Sequence, residues 1–204
     1  MRIFILFAFL FLLLNCKGQN NQESINTLKK ELSEIYRTDQ LYRTEMAKVK
    51  PTDIKIVELM NKQDSLDSIN LKRVVVILDS LRYPKRRDFG DSAGLATFFV
   101  IQHADIKYQE KYLPLFEQAA TNNEIEWKNV VYMIDRVRLR KGQKQLFGTQ
   151  IQPIKDPNTG YLTNKAEVAP IEDAKNVNER RAKVGLGTIE EEAKQFGIEY
   201  KLQQ

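Results

Sequence analysis

The side chains best suited to chemistry stand where apolar runs end. His103 is the only histidine in the 204 residues, and with Gln102 it closes the apolar run that ends at Ile101. Imidazole titrates near neutrality, so His103 is the natural general acid or base. The plainer alternative is a hydrogen bond from the ring to its own helix end or to a neighbouring carbonyl. Asp135 is the second candidate. On a helix it shares a face with Val131 and Arg138, at the edge of an apolar stripe. An acid in that position must find a partner or shift its pKa. Arg138 is the local partner, and His103 is the functional one, which Asp135 would orient. Arg136 and Arg140, four residues apart, repel each other and should face solvent or an anion. In the run Gln145-Leu146-Phe147-Gly148-Thr149-Gln150, Gly148 permits close backbone approach, while Thr149 and Gln150 offer hydroxyl and amide hydrogen bonds. Arg180-Arg181 is a further anion or salt-bridge pair.

Several chemistries are excluded or unsupported. One cysteine rules out an internal disulfide framework and a Cys-rich zinc site, and one histidine rules out a multi-histidine metal centre. No metal or cofactor is expected. The sequence has no phosphate-binding G-x-x-x-x-G-K-[ST] or G-x-G-x-x-G loop and no G-x-S-x-G nucleophile elbow. No serine is marked out for a triad. Lys85-Arg86-Arg87 and a formal charge of +5 could suggest nucleic acid. A loop solvated by these charges, or facing anionic lipid, fits the rest of the chain better, so no nucleic-acid partner is expected.

The first fifteen residues explain why. Thirteen of them are hydrophobic, the only charge is Arg2, and the run stops at Cys16, the single cysteine. A spanning helix needs roughly 20 apolar residues, so the run is short for an anchor. Leu13-Leu14-Asn15-Cys16 resembles the lipobox of a bacterial lipoprotein signal peptide, with Asn15 a looser fit than Gly or Ala. That resemblance implies a signal peptide over 1–15, cleavage before Cys16 and lipidation of its thiol. Acyl chains contribute about 0.8 kcal/mol per buried CH₂, so several make a stable anchor. Residues 16–23 then form the lipidated end and a flexible tether. Without Arg2 the formal charge of +5 becomes +4.

Residues 24–204 should form one mainly α domain with a small β-hairpin and two short C-terminal helices. Between Gly18 and Gly90 there is no glycine and only Pro51 and Pro84, which favours long helices. Ile25, Leu28, Leu32, Ile35, Tyr42, Met46 and Val49 recur at helical steps with one longer gap, predicting a helix over about 22–48. Thr52-Asp53 should open a second. A third should start near Asn70 and run to Tyr83-Pro84. Its Val74–Ile77 run could form a strand, but Leu78 to Leu81 keep the helical period. Ser92 should cap a central helix that ends at Gln102-His103 and is apolar almost all round. Asp105 should cap the next, with Pro114 kinking it or delaying its start. Asn123 and Glu126 read as a capping box for a helix that stops at Gly142. Phe147 to Ile154 and Tyr161 to Val168 flank a turn cluster and predict the hairpin. The last two helices should cover about 178–184, closed by Gly185, and a segment opened by Thr188 and Glu191 and closed by Gly197.

Read in order, Gln102-His103-Ala104-Asp105, Asp135-Arg136-Val137, Gly142, Gln145 and Phe147-Gly148-Thr149-Gln150 form a pattern. Pro170-Ile171, Asn178-Glu179-Arg180-Arg181 and Val184-Gly185-Leu186 continue it. The set resembles a bacterial domain family of unknown function found in secreted, lipidated and cytoplasmic proteins, over roughly 55–190. Phe147 stands where Tyr is common, and Asn178 where Asp is common. The resemblance brings no activity. It implies convergence of His103, Asp135, Arg136, Gln145, Thr149 and Gln150.

The expectation is an envelope lipoprotein, held to a membrane (the outer membrane favoured) with its domain periplasmic or surface-exposed. It would bind a small polar or anionic ligand or an envelope component through Gln102, Arg136, Gln145, Thr149, Gln150 and Arg181. The alternatives are a hydrolase-like enzyme using His103 and Asp135, and an interaction lipoprotein whose polar cluster only holds the hairpin to the helices.

Overall fold

The computed structural model describes residues 3–50 and 53–201, with the backbone alone over 3–22 and at Asn164. The side chains of the predicted leader over 1–15, of Cys16 and of the predicted tether up to residue 22 lie outside the described residues. The fold is mainly α, with eight helices and one two-stranded sheet among the described residues. The chain forms two compact units, Met1–His103 and Ala104–Gln204.

In the first unit, α1 (Ile3–Met46), α2 (Lys55–Leu81) and α4 (Asp91–His103) pack on one another, and the single turn α3 (Arg86–Phe89) packs on α1 and α4. The core is built from Leu32 and Ile35 of α1, Val74, Ile77 and Leu78 of α2, and Ala96, Phe98, Val100 and Ile101 of α4. Two predicted helices, one opened near Thr52 and one near Asn70, are a single helix. No glycine or proline interrupts 55–81. Asn70 does not start a helix. It is buried mid-helix, and its side-chain amide donates to Thr38 Oγ1 at 3.2 Å. The Val74–Ile77 run is helical, as the period from Leu78 onward requires. α4 is buried almost all round and ends at His103.

In the second unit, α5 (Ile106–Thr121) packs on α6 (Trp127–Arg140). Asp105 is the residue ahead of α5, without a side-chain cap bond, and Pro114 sits inside the helix rather than delaying it. The predicted Asn123/Glu126 box does not form. Asn123 takes a φ of 58°. Its N–H bonds Ala120 O, and the N–H of Glu124 bonds Ala119 O. That is a Schellman stop, so Asn123 closes α5 rather than opening α6, a role asparagine fills because it tolerates the left-handed region. Gly142 closes α6 in the same way, with Gln143 N–H on Arg138 O.

Beyond α6, β1 (Ile151–Lys155) and β2 (Leu162–Val168) pair antiparallel, Ile151 opposite Val168, as the predicted hairpin. A single parallel bridge joins Gln145 to Ile171. A 3₁₀ turn leads into α7 (Val177–Lys183), and α8 (Ile189–Gln195) follows. Thr188 and Glu191 form the reciprocal capping box that the sequence predicts for α8.

Candidate functional site

The second unit places most of the predicted polar residues in one cluster. Asp135 lies on the inner face of α6 and is fully buried. Its carboxylate accepts from the N–H of Leu146 at 2.7 Å, of Phe147 at 3.1 Å and of Thr149 at 3.0 Å, and from Thr149 Oγ1 at 2.9 Å. Charge-assisted bonds of this kind are about twice as strong as neutral ones, so one side chain clamps the whole 146–149 loop to the helix. Arg138 turns elsewhere, donating to Lys144 O at 2.8 Å and to the Glu172 carboxylate.

Gln145 is buried and does for the hairpin what Asp135 does for the loop. Its Nε2 donates to Ala169 O at 2.6 Å and Gln150 O at 3.1 Å, and its Oε1 accepts from the Gln150 N–H at 2.9 Å. Arg181, only 1% exposed, donates to Gly187 O at 2.6 Å, to Phe147 O at 2.7 Å and to the Glu192 carboxylate. Arg180 donates to Leu146 O and to Asp173. Tyr132 donates its hydroxyl to Glu192 Oε1 at 2.8 Å, and burial with that carboxylate pushes its pKa up to about 12. Arg136 donates to Gln150 Oε1 at 3.3 Å. Burial first, then the charge of Arg140, holds its guanidinium below the usual range. Gly148, at φ 72°, lies so close to Ile189 and Ile171 that a Cβ there would overlap the Ile189 Cδ1 and stand 2.9 Å from the Ile171 Cδ1. Asp135, Thr149 and Gln150 thus bond in a chain of side chains, while Gln145 and Arg181 bond the backbone around them, and Arg181 also bonds Glu192.

His103 belongs to the first unit, and its carboxylate is Asp39. The ring Nδ1 stands 3.3 Å from Asp39 Oδ1, the ring lies nearly parallel to Phe99 with centroids 6.3 Å apart, and a quarter of the side chain is exposed. Asp39 is 1% exposed and also accepts from Gln40 Nε2 at 2.7 Å, with Arg43 Nη1 3.5 Å away. Arg43 in turn grips Asp67 of α2 with both terminal nitrogens, at 2.9 and 2.5 Å, and Gln63 donates to the same carboxylate at 2.7 Å. With Thr38 and Asn70 this makes a polar layer between α1 and α2 inside an otherwise apolar contact. A carboxylate on Nδ1 holds imidazole in the tautomer whose Nε2 accepts a proton or a ligand N–H.

Asp39, Arg43, Gln63 and Asp67 were not among the predicted site residues. The signal was the one longer gap in the α1 stripe. Asp39 stands four residues after Ile35 and three before Tyr42, on the buried face itself. On α2, Gln63 and Asn70 likewise occupy the stripe that continues through Val74 and Ile77. Gln102, beside His103, is buried. Among the described residues no three His, Cys, Asp or Glu side chains gather as a metal ion would need.

No curated protein and no solved structure matches the chain. A family model does, over residues 26–203, and it spans both units and both polar clusters. The chain belongs to the family of unknown function DUF6624.

Proposed function

We propose that this is a cell-envelope lipoprotein, cleaved before Cys16 and held to a membrane by acyl chains on that residue, which binds a small polar or anionic ligand at His103. One observation carries the choice of site: the buried Asp39 fixes the ring of a partly exposed histidine, 3.3 Å from Nδ1. The ring is oriented from behind while part of it meets solvent, which is what a ligand contact requires. The cluster around Asp135 is read as scaffold, because its polar atoms already serve one another. The same pairing favours a second reading, in which His103 is a general base oriented by Asp39 rather than by Asp135.

The ligand test is a thermal-shift screen of the soluble fragment from Gly18 with inorganic phosphate, sulfate and small carboxylates. A ligand at 100 times its Kd adds about 2.7 kcal/mol. The expected result is a rise in Tm for the natural chain and none for His103→Ala. A rise that survives His103→Ala removes the site. Hydrolysis of a chromogenic ester or phosphate monoester that is lost with His103→Ala selects the second reading. For the anchor, Cys16→Ser should release the protein from membranes, and unchanged retention sinks that part.

A further inference from the structure

The cations of the first unit are unevenly placed, and one cluster lies on the part of the fold nearest the proposed anchor. Lys29 lies thirteen positions after Cys16. Lys29, Lys30 and Arg37 line an open groove of about 620 Å³ along α1. α3 packs on α1 and carries Arg86 and Arg87, with Lys85 just ahead of it. Lys29 joins the two sets. Its Nζ lies 3.7 Å from where a Cβ on Gly90 would stand, at the end of α3.

The counter-charges are few and weakly held. Arg37 pairs with Glu34, Arg86 with Asp91 and Arg87 with Asp88, all on exposed side chains, where an ion pair contributes little and yields to a better anion. Lys29, Lys30 and Lys85 make no ion pair among the described residues. Six cations therefore face three carboxylates on one surface. The exposed apolar side chains of the unit, such as Val57, Met60 and Ile69, lie on α2 instead. The surface is suited to charge on a partner, not to insertion.

We propose that this basic face of α1 and α3 docks onto anionic phospholipid headgroups of the membrane that holds Cys16. The proposal rests on the lipoprotein reading for its geometry: an anchor thirteen residues away keeps the patch within reach of headgroups. A single acyl chain binds reversibly, and a basic patch is a second signal that makes attachment stable. Attraction between such patches and anionic lipid falls off within a Debye length, so salt should weaken it.

The test is vesicle co-sedimentation of the mature chain from Cys16, made without its leader and so without lipid. Vesicles are phosphatidylcholine alone or equal parts phosphatidylcholine and phosphatidylglycerol. The expected result is binding at least about tenfold tighter to the anionic vesicles in about 0.1 M salt, lost in about 1 M salt. Lys29→Glu/Lys30→Glu/Lys85→Glu should abolish the preference. Lys128→Glu/Lys183→Glu/Lys201→Glu makes the same charge change in the other unit and should keep most of it. All six positions are exposed lysines, so both variants should retain the far-ultraviolet circular dichroism of the natural chain. No anionic preference, or equal loss in the two variants, overturns the proposal. Since no lipid is attached in this assay, failure of the patch and failure of the anchor at Cys16 are read separately.

Discussion

Asp39 and Asp135 are the same residue type, both almost wholly buried, and they do opposite things. Asp135 accepts from four donors within its own unit, three of them backbone N–H groups of one loop. Asp39 holds side chains: an amide, a guanidinium at 3.5 Å and an imidazole that reaches solvent. A carboxylate saturated by backbone N–H groups is a folding device, because every donor it serves would otherwise be buried without a partner. A carboxylate that fixes a partly exposed histidine orients a group that can still meet a ligand. Burial of an acid therefore says little until its partners are known.

The largest expected effect separates the two residues directly. Asp135→Ala strands the N–H groups of Leu146, Phe147 and Thr149, each at about 1–3 kcal/mol, so a loss of at least about 4 kcal/mol is expected. Asp39→Ala leaves Arg43 bound to Asp67 and His103 free to turn to water, and should cost only about 2 kcal/mol. Trp127, the single tryptophan, stands at the start of α6 in the second unit and reports its local environment there. Urea unfolding followed by its fluorescence should move sharply for Asp135→Ala and hardly at all for Asp39→Ala. Equal losses for the two would break the comparison. In Asp39→Ala, ring nitrogen chemical shifts should show the tautomer preference of His103 relaxing, while Asp135→Asn should leave them unchanged.

The contrast also shows what the sequence could and could not reveal. Helices, the hairpin and the α8 cap were legible because each is written in local period, glycine stops or a four-residue box. Asp135 was legible as an acid at the edge of an apolar stripe. Its partners were not, because backbone N–H groups carry no residue signature, and the nearer Arg138 was the visible choice. Asp39 was visible only as a gap. Its imidazole lies 64 residues away in sequence, and its guanidinium shares a second acid, Asp67, on another helix. No local pattern encodes such a crossing. The merged α2 fails for a related reason: Asn70 looks like a cap until its amide is seen to face Thr38.

Gly148 tests whether the loop held by Asp135 has any slack. Its φ of 72° is costly for a side chain, and a Cβ would overlap Ile189 and crowd Ile171. Gly148→Ala should cost about 3 kcal/mol, from backbone strain and overpacking together. Adding Ile189→Val should return part of the crowding cost and none of the strain. A neutral Gly148→Ala would mean that the loop shifts freely, and that Asp135 does not hold it.

The smallest effect is a proton. Tyr132 is partly buried, with its hydroxyl on Glu192, and its pKa stands at about 12 against an ordinary value of 10.0. Below pH 10 the folded and unfolded chains both keep this proton, so its contribution to stability is fully present. Between pH 10 and 12 the unfolded chain releases it while the folded chain retains it, and stability falls as pH rises. The ceiling for two pH units is about 2.7 kcal/mol, and a partly solvated phenol should show on the order of 1–2 kcal/mol. Tyr132→Phe lacks the group. At pH 8 it should be about 1 kcal/mol less stable than the natural chain, for the lost hydrogen bond. That gap should shrink steadily above pH 10, because only the natural chain loses the contribution. Parallel pH profiles for the two proteins would mean that the Tyr132–Glu192 contact is open to water, and that the second unit's cluster is less closed than the saturation of Asp135 implies.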